Sequence, residues 1–145
     1  GVGNSGIVAQ DAQHKFFRLG VTSISSSDGH MQVMSATLLG PGDCAVIISN
    51  SGRTRDLMDA ADIARKNGAT TIAITARGSP LATACAIHLA ADHPEGYDRY
   101  SPMVSRLLHL LVIDAQATCV ALRIGPSLQP VLQQIKDNLR AKRYT

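Results

Sequence analysis

Tryptophan is absent from this 145-residue chain and aromatic residues make up only 3% of it, which argues against a nucleic-acid surface built on stacked rings. Charge is also sparse, at 17% against 45% hydrophobic residues. That balance excludes intrinsic disorder and leaves a globular domain with enough chain to bury a real core. Cysteine is rare and unpatterned. Cys44, Cys85 and Cys119 each lie in an apolar run, no C-x-x-C spacing occurs and the total is odd, so they read as small buried hydrophobes of a reducing, cytoplasmic compartment. Several chemical signatures are missing as well. No Gly-Lys-Ser or Gly-Lys-Thr marks a Walker loop and no G-x-S-x-G marks a hydrolase elbow. His14, His30, His88, His93 and His109 show no metal-ligand spacing, and the only local cluster is His93 with Asp92 and Glu95, so no metal is expected. The most apolar stretch, residues 103–122, is interrupted by Arg106, His109 and Asp114, which favours a buried helix over a membrane span.

The net charge of +3 is local. Residues 136–145 hold Lys136, Arg140, Lys142 and Arg143 against Asp137 alone, which accounts for all of it. Such a tail is either a solvated helix end or a contact for an acidic surface.

Short apolar runs rich in β-branched residues alternate with helical patterns, the rhythm of a parallel α/β fold. Residues 21–25, 44–49, 70–75 and 86–90 are the strand candidates, and 7–19, 30–39 and 54–67 read as helices. In the last of these Leu57, Met58, Ala61 and Ala64 recur at helical spacing, Asp56 and Asp59 sit near the positive end of the dipole, and Gly68 supplies a C-terminal cap. Ser101-Pro102 is an N-cap followed by proline at the first helical position, opening a long helix to about Leu122. Gly125-Pro126 breaks it, so residues 1–125 form one unit and 126–145 an amphipathic helix with a basic tail. The stripe Leu128, Val131, Leu132, Ile135 and Leu139 needs a covering surface, either a second copy or the chain's own sheet. A glycine turn leading straight into a helix normally follows a strand, so a first strand, and a whole domain with it, is expected before Gly1.

Two loops carry the chemistry. After residues 45–48 comes Ser49-Asn50-Ser51-Gly52-Arg53-Thr54, and then a helix begins. A strand end, the backbone N–H groups of a helix start and the helix dipole make an anion site, to which Ser49, Ser51 and Thr54 can add hydroxyl donors while Gly52 lets the backbone approach. The competing use of Ser51 or Thr54 is simply to cap the helix. The first loop, Gly1-Val2-Gly3-Asn4-Ser5-Gly6, contains a G-x-G-x-x-G string, but the acidic residue that should follow a dinucleotide fingerprint would have to be Asp28 in a serine loop. Two hydroxyl-bearing loops at strand ends instead suggest a small phosphorylated ligand across the switch point of a flavodoxin-like sheet.

At these loops the sequence resembles the SIS (sugar isomerase) domains: Gly1-Val2-Gly3-Asn4-Ser5 is similar to their G-x-G-x-S turn, and residues 49–54 to their S-x-S-G-x-T phosphate loop. Pro41-Gly42-Asp43 before the next strand fits as well. The stretch Ser101-Pro102-Met103-Val104-Ser105-Arg106-Leu107, with Val112-Ile113-Asp114, resembles the effector domain of RpiR-type transcriptional regulators. The resemblance implies a three-layer αβα sandwich with a five-stranded parallel sheet and a helix-turn-helix domain before it that contacts DNA. It implies phosphate held by Ser49, Asn50, Ser51, Gly52 and Thr54, and a sugar chain facing Gly3, Asn4 and Ser5. Regulators of hexose catabolism in this family respond to 2-keto-3-deoxy-6-phosphogluconate, which it implies as the kind of ligand. No cofactor is implied.

Glu95, the only glutamate, lies near the place where the family's isomerases keep a proton-shuttling base. It is a candidate ligand contact, or a catalytic base if the chain is a sugar-phosphate isomerase or related lyase. His30, after Asp28-Gly29, opens a helix near the cleft and is a second candidate contact, while His88 falls within a strand pattern as a satisfied core or edge residue. Arg53 and Arg55 either neutralise a ligand anion or are plain surface. With no secure catalytic dyad, the expectation is a non-enzymatic sensor domain, self-associating as a homodimer or tetramer, with no membrane partner.

Overall fold

The structure, a computed structural model, describes residues 1–93, 104–140 and 142. Three strands, β1 (Cys44–Ile48), β2 (Thr70–Thr75) and β3 (Ile87–Ala90), lie side by side in chain order and run parallel. The helices are α1 (Asn4–Arg18), α2 (Gly29–Leu38), α3 (Arg55–Lys66), α4 (Pro80–Ala84), α5 (Val104–Ile124) and α6 (Leu128–Arg140), with a 3-10 turn at Gly125–Ser127 between the last two.

Alternation along the strands builds a core on each face of the sheet. Ile48 and Ile74 point to one side, where they meet Val8 and Ala12 of α1 and Ile113 of α5. Ile47 and Ala73 point to the other, against Leu57 and Ala61 of α3 and Leu81 of α4. The result is an αβα arrangement. Helix α2 packs against α3, and the buried part of the seam is alanine: Ala36, Ala60 and Ala64, with Ala69 just before β2, flanked by half-buried Leu39 and Ile63. Lys15 ties α1 to α5 by pairing with both Asp11 and Asp114. Burial works against its charge, but the two carboxylates outweigh that and hold the ammonium above its ordinary pKa.

Most element assignments agree with the sequence patterns, and four features differ. Residues 21–25 form no strand. They run irregularly past the end of α1, with Val21 and Ile24 40% and 81% exposed. A strand needs a ladder partner, and among the described residues none lies beside them. The chain just after them is held instead at Ser26, whose carbonyl accepts from Gly1 at 3.3 Å and from Gln32 Nε2 at 3.2 Å. The long apolar helix is buried on one side only: Ser105, His109 and Ile113 face inward, whereas Leu107, Leu111 and Leu122 are 61%, 65% and 77% exposed. The run Val104–Arg140 is long and apolar enough to cross a membrane by length and composition; here α5 packs against α1. Of the cysteines only Cys85 is buried, and Cys44 and Cys119 are exposed. Helix α4, absent from the sequence reading, begins with a second Ser-Pro pair: Ser79 caps it and Pro80 is its first residue.

Candidate functional site

The C-terminal end of β1 delivers the second loop. Ser49 is buried at 5% exposure, Asn50 half-buried, Ser51 exposed and Gly52 buried, and Thr54 is the N-cap residue of α3. The capping alternative does not hold for Thr54, whose side chain makes no cap hydrogen bond, so its hydroxyl remains available to a ligand at the positive end of the α3 dipole. Both serines accept from the loop's own amides: Gly52 N–H donates to Ser49 Oγ at 3.0 Å and Arg53 N–H to Ser51 Oγ at 3.3 Å. A hydroxyl whose oxygen is engaged in this way keeps its proton to give. Each serine is thereby set as a donor towards an incoming anion.

Gly52 sits at φ 61°, and a Cβ there would come within 2.6 Å of Thr75 Oγ1. The position therefore requires glycine for both conformation and space.

The first loop meets the second directly. A side chain on Gly1 would stand 3.0 Å from the carbonyl oxygen of Ile48, the residue before Ser49. Gly3, at φ 55°, is the N-cap residue of α1 with open space around its Cα, and Asn4 and Ser5 form the first turn, both half-buried. Ser5 N–H donates to Val2 O at 3.1 Å. The segment from Ser25 to Asp28 closes the next side. Ser27 packs against Gly6, and Asp28 caps α2 by accepting from Met31 N–H at 3.0 Å. Gly29 packs against the Asp56 carboxylate of α3, so the starts of α1, α2 and α3 gather at one end of the sheet.

Gln32, a residue the sequence reading passed over, ties this corner together. Buried at 7% exposure, it donates from Nε2 to Gly1 O at 3.3 Å and Ser26 O at 3.2 Å. No composition or spacing signal marks it. Ser79, behind Gly52, was passed over as well, although the Ser79-Pro80 pair is a cap signal that could have placed α4.

The other candidates fall as follows. His30 is exposed on the first turn of α2, with no hydrogen bond or ion pair to either loop among the described residues. Arg53 and Arg55 are exposed, and neither has an ion-pair partner among the described residues. His88 is satisfied at the sheet, its Nε2 lying 3.0 Å from Thr75 O. Glu95 lies outside the described residues. Asp92, just before it, accepts from Arg77 N–H at 2.6 Å and pairs with the Arg77 guanidinium, fixing the turn after β2 to the end of β3.

This pair of loops has counterparts among known proteins. The family model described as SIS domain matches residues 1–119. The chain belongs to the SIS-domain family. Among relatives of this SIS domain, the HTH-type transcriptional regulator HexR of Pseudomonas aeruginosa is 47% identical over 144 residues, which is 99% of this chain and 50% of that protein. The chain thus spans about half the length of that regulator. Among solved structures, the NanR protein of Vibrio vulnificus complexed with ManNAc-6P superposes with a TM-score of 0.88 at 27% identity, over 100% of this chain and 55% of that one. The sugar isomerase domain of an RpiR transcription factor from Sphaerobacter thermophilus gives 0.79 at 23% identity, over 94% and 75%, which speaks for the shared fold.

Proposed function

We propose that this SIS domain is the effector-sensing part of a transcriptional regulator of sugar catabolism. It binds a phosphorylated sugar acid such as 2-keto-3-deoxy-6-phosphogluconate across its two loops. Ser49, Ser51 and Thr54 donate to the phosphate together with the amides of Asn50 and Ser51, the Gly52 amide being committed to Ser49 Oγ, and Gly3, Asn4 and Ser5 face the sugar chain, with His30 and Glu95 as further contacts. The observation that carries this reading is the serine loop itself. Its hydroxyls are already accepting from loop amides, Thr54 is left uncapped, and the whole sits at the start of a twelve-residue helix beside a second glycine turn.

Kinship supports the regulatory side, since the similarity to HexR extends over 99% of this chain and NanR was solved with a phosphorylated sugar. In this reading the domain works in the cytoplasm as a homodimer or tetramer. Ligand binding biases the packing between copies and so changes how a preceding helix-turn-helix domain meets DNA. The exposed leucines of α5 and the stripe of α6 are the faces on which such copies would meet.

Phosphorus NMR of the chain with 2-keto-3-deoxy-6-phosphogluconate, glucose 6-phosphate and arabinose 5-phosphate tests the reading. A shift or broadening for one compound without new peaks is the expected result. New product peaks would overturn it in favour of an isomerase or lyase working through Glu95, and silence from every compound would overturn the phosphate assignment.

A further inference from the structure

The serine loop is held from behind by residues that would not touch the ligand. Asn50 O accepts from Ala76 N–H at 3.3 Å, and Gly52 O accepts from Leu81 N–H at 3.1 Å. Both carbonyls therefore turn towards the connection between β2 and α4. A buried hydroxyl pair lies directly behind Gly52. Thr75 Oγ1 and Ser79 Oγ lie 3.4 Å apart, at 0% and 3% exposure, and both crowd the Cα of Gly52 so closely that no side chain fits. Ser79 Oγ also accepts from Ala82 N–H at 3.2 Å, which anchors the pair to the start of α4.

A loop rich in small residues can present either edge of its peptides to the solvent. With a carbonyl outward it repels an anion, and with an N–H outward it attracts one. We infer that Thr75 and Ser79 are positioning residues for phosphate: their hydroxyl pair backs Gly52 so that the Asn50 and Gly52 carbonyls stay turned away, which leaves the Ser51 amide and the serine hydroxyls to face the anion. This rests on the phosphate reading of residues 49–54 and deepens it, because it assigns the preference for an anion partly to two residues outside the motif.

The test is titration of the 15N-labelled 145-residue chain with inorganic phosphate, following the amide signals of residues 49–54, alongside thermal melts of each variant. Wild type should show saturable shifts. Thr75→Val, which keeps the shape and removes the hydroxyl, should weaken phosphate binding by up to about tenfold, the limit set by the whole worth of the lost Thr75–Ser79 hydrogen bond. Thr75→Ser should restore it. A residue that only stabilised the fold would lower the melting temperature and leave the Kd of the folded chain unchanged, so wild-type Kd values in both Thr75→Val and Ser79→Ala would overturn the clamp. Should Thr75→Val fail to fold, Ser79→Ala carries the same test. Ser49→Ala separates the two levels. If it abolishes the shifts while the clamp variants bind normally, the phosphate site stands and the clamp falls, whereas no saturable shift in wild type overturns both.

Discussion

The two loops contain glycines that share a positive φ and differ in their surroundings, and replacing each by alanine sets strain against strain with crowding. Gly3 and Gly52 have φ of 55° and 61°. A Cβ on Gly3 would meet nothing within 4 Å, whereas one on Gly52 would lie within 2.6 Å of Thr75 Oγ1 and the Cβ of Ser79. Holding an L-residue at positive φ costs roughly 1–2 kcal/mol, and up to about 3 kcal/mol at the ψ of −131° that Gly3 adopts, which is the whole expected loss for Gly3→Ala. Forcing a methyl into a packed site adds about 1–3 kcal/mol, so Gly52→Ala should lose about 2–5 kcal/mol, a large share of the roughly 5–15 kcal/mol that stabilises a domain. Urea denaturation followed by circular dichroism reads both, with unchanged slopes confirming that the midpoints report stability. Equal losses for the two variants would refute the reasoning, since they would mean that the hydroxyls behind Gly52 yield without cost.

Other expectations follow from the same geometry. Ser51→Ala should weaken binding of a phosphorylated sugar by about 1.5–3 kcal/mol, the worth of a hydrogen bond to a charged group, as read by calorimetry, with little change in stability because Ser51 is exposed. Ile113→Ala removes a fully buried side chain of α5 from the core shared with Val8, Ile48 and Ile74 and should cost about 2–5 kcal/mol in chemical denaturation.

The parallel strands at 44–48 and 70–75 were legible because strands covered on both faces read as continuous β-branched and apolar runs. Residues 21–25 have the same composition without the same outcome, because pairing belongs to the neighbourhood and not to the segment. The long helix shows the converse. Its leucines surround most of its circumference, which the sequence alone equates with burial, yet only the Ser105–His109–Ile113 side is covered here. In the site, the serine and glycine motifs were visible as residue types at fixed spacing. Gln32, Thr75 and Ser79 were not, because their roles depend on contacts across 31, 23 and 27 positions of chain to Gly1 and Gly52, and no periodicity records them.

The seam between α2 and α3 has one more consequence. Ala36, Ala60, Ala64 and Ala69 meet there, and an alanine has no side-chain torsion to turn. A seam of leucines could take up a displacement by changing rotamers, whereas here only Leu39 and Ile63, packed at its margin, have that freedom. The two helices whose first turns meet at Gly29 and Asp56 are therefore joined like a solid bracket, and a ligand arriving at that end finds its receiving amides already in place, with little disorder left to remove on binding.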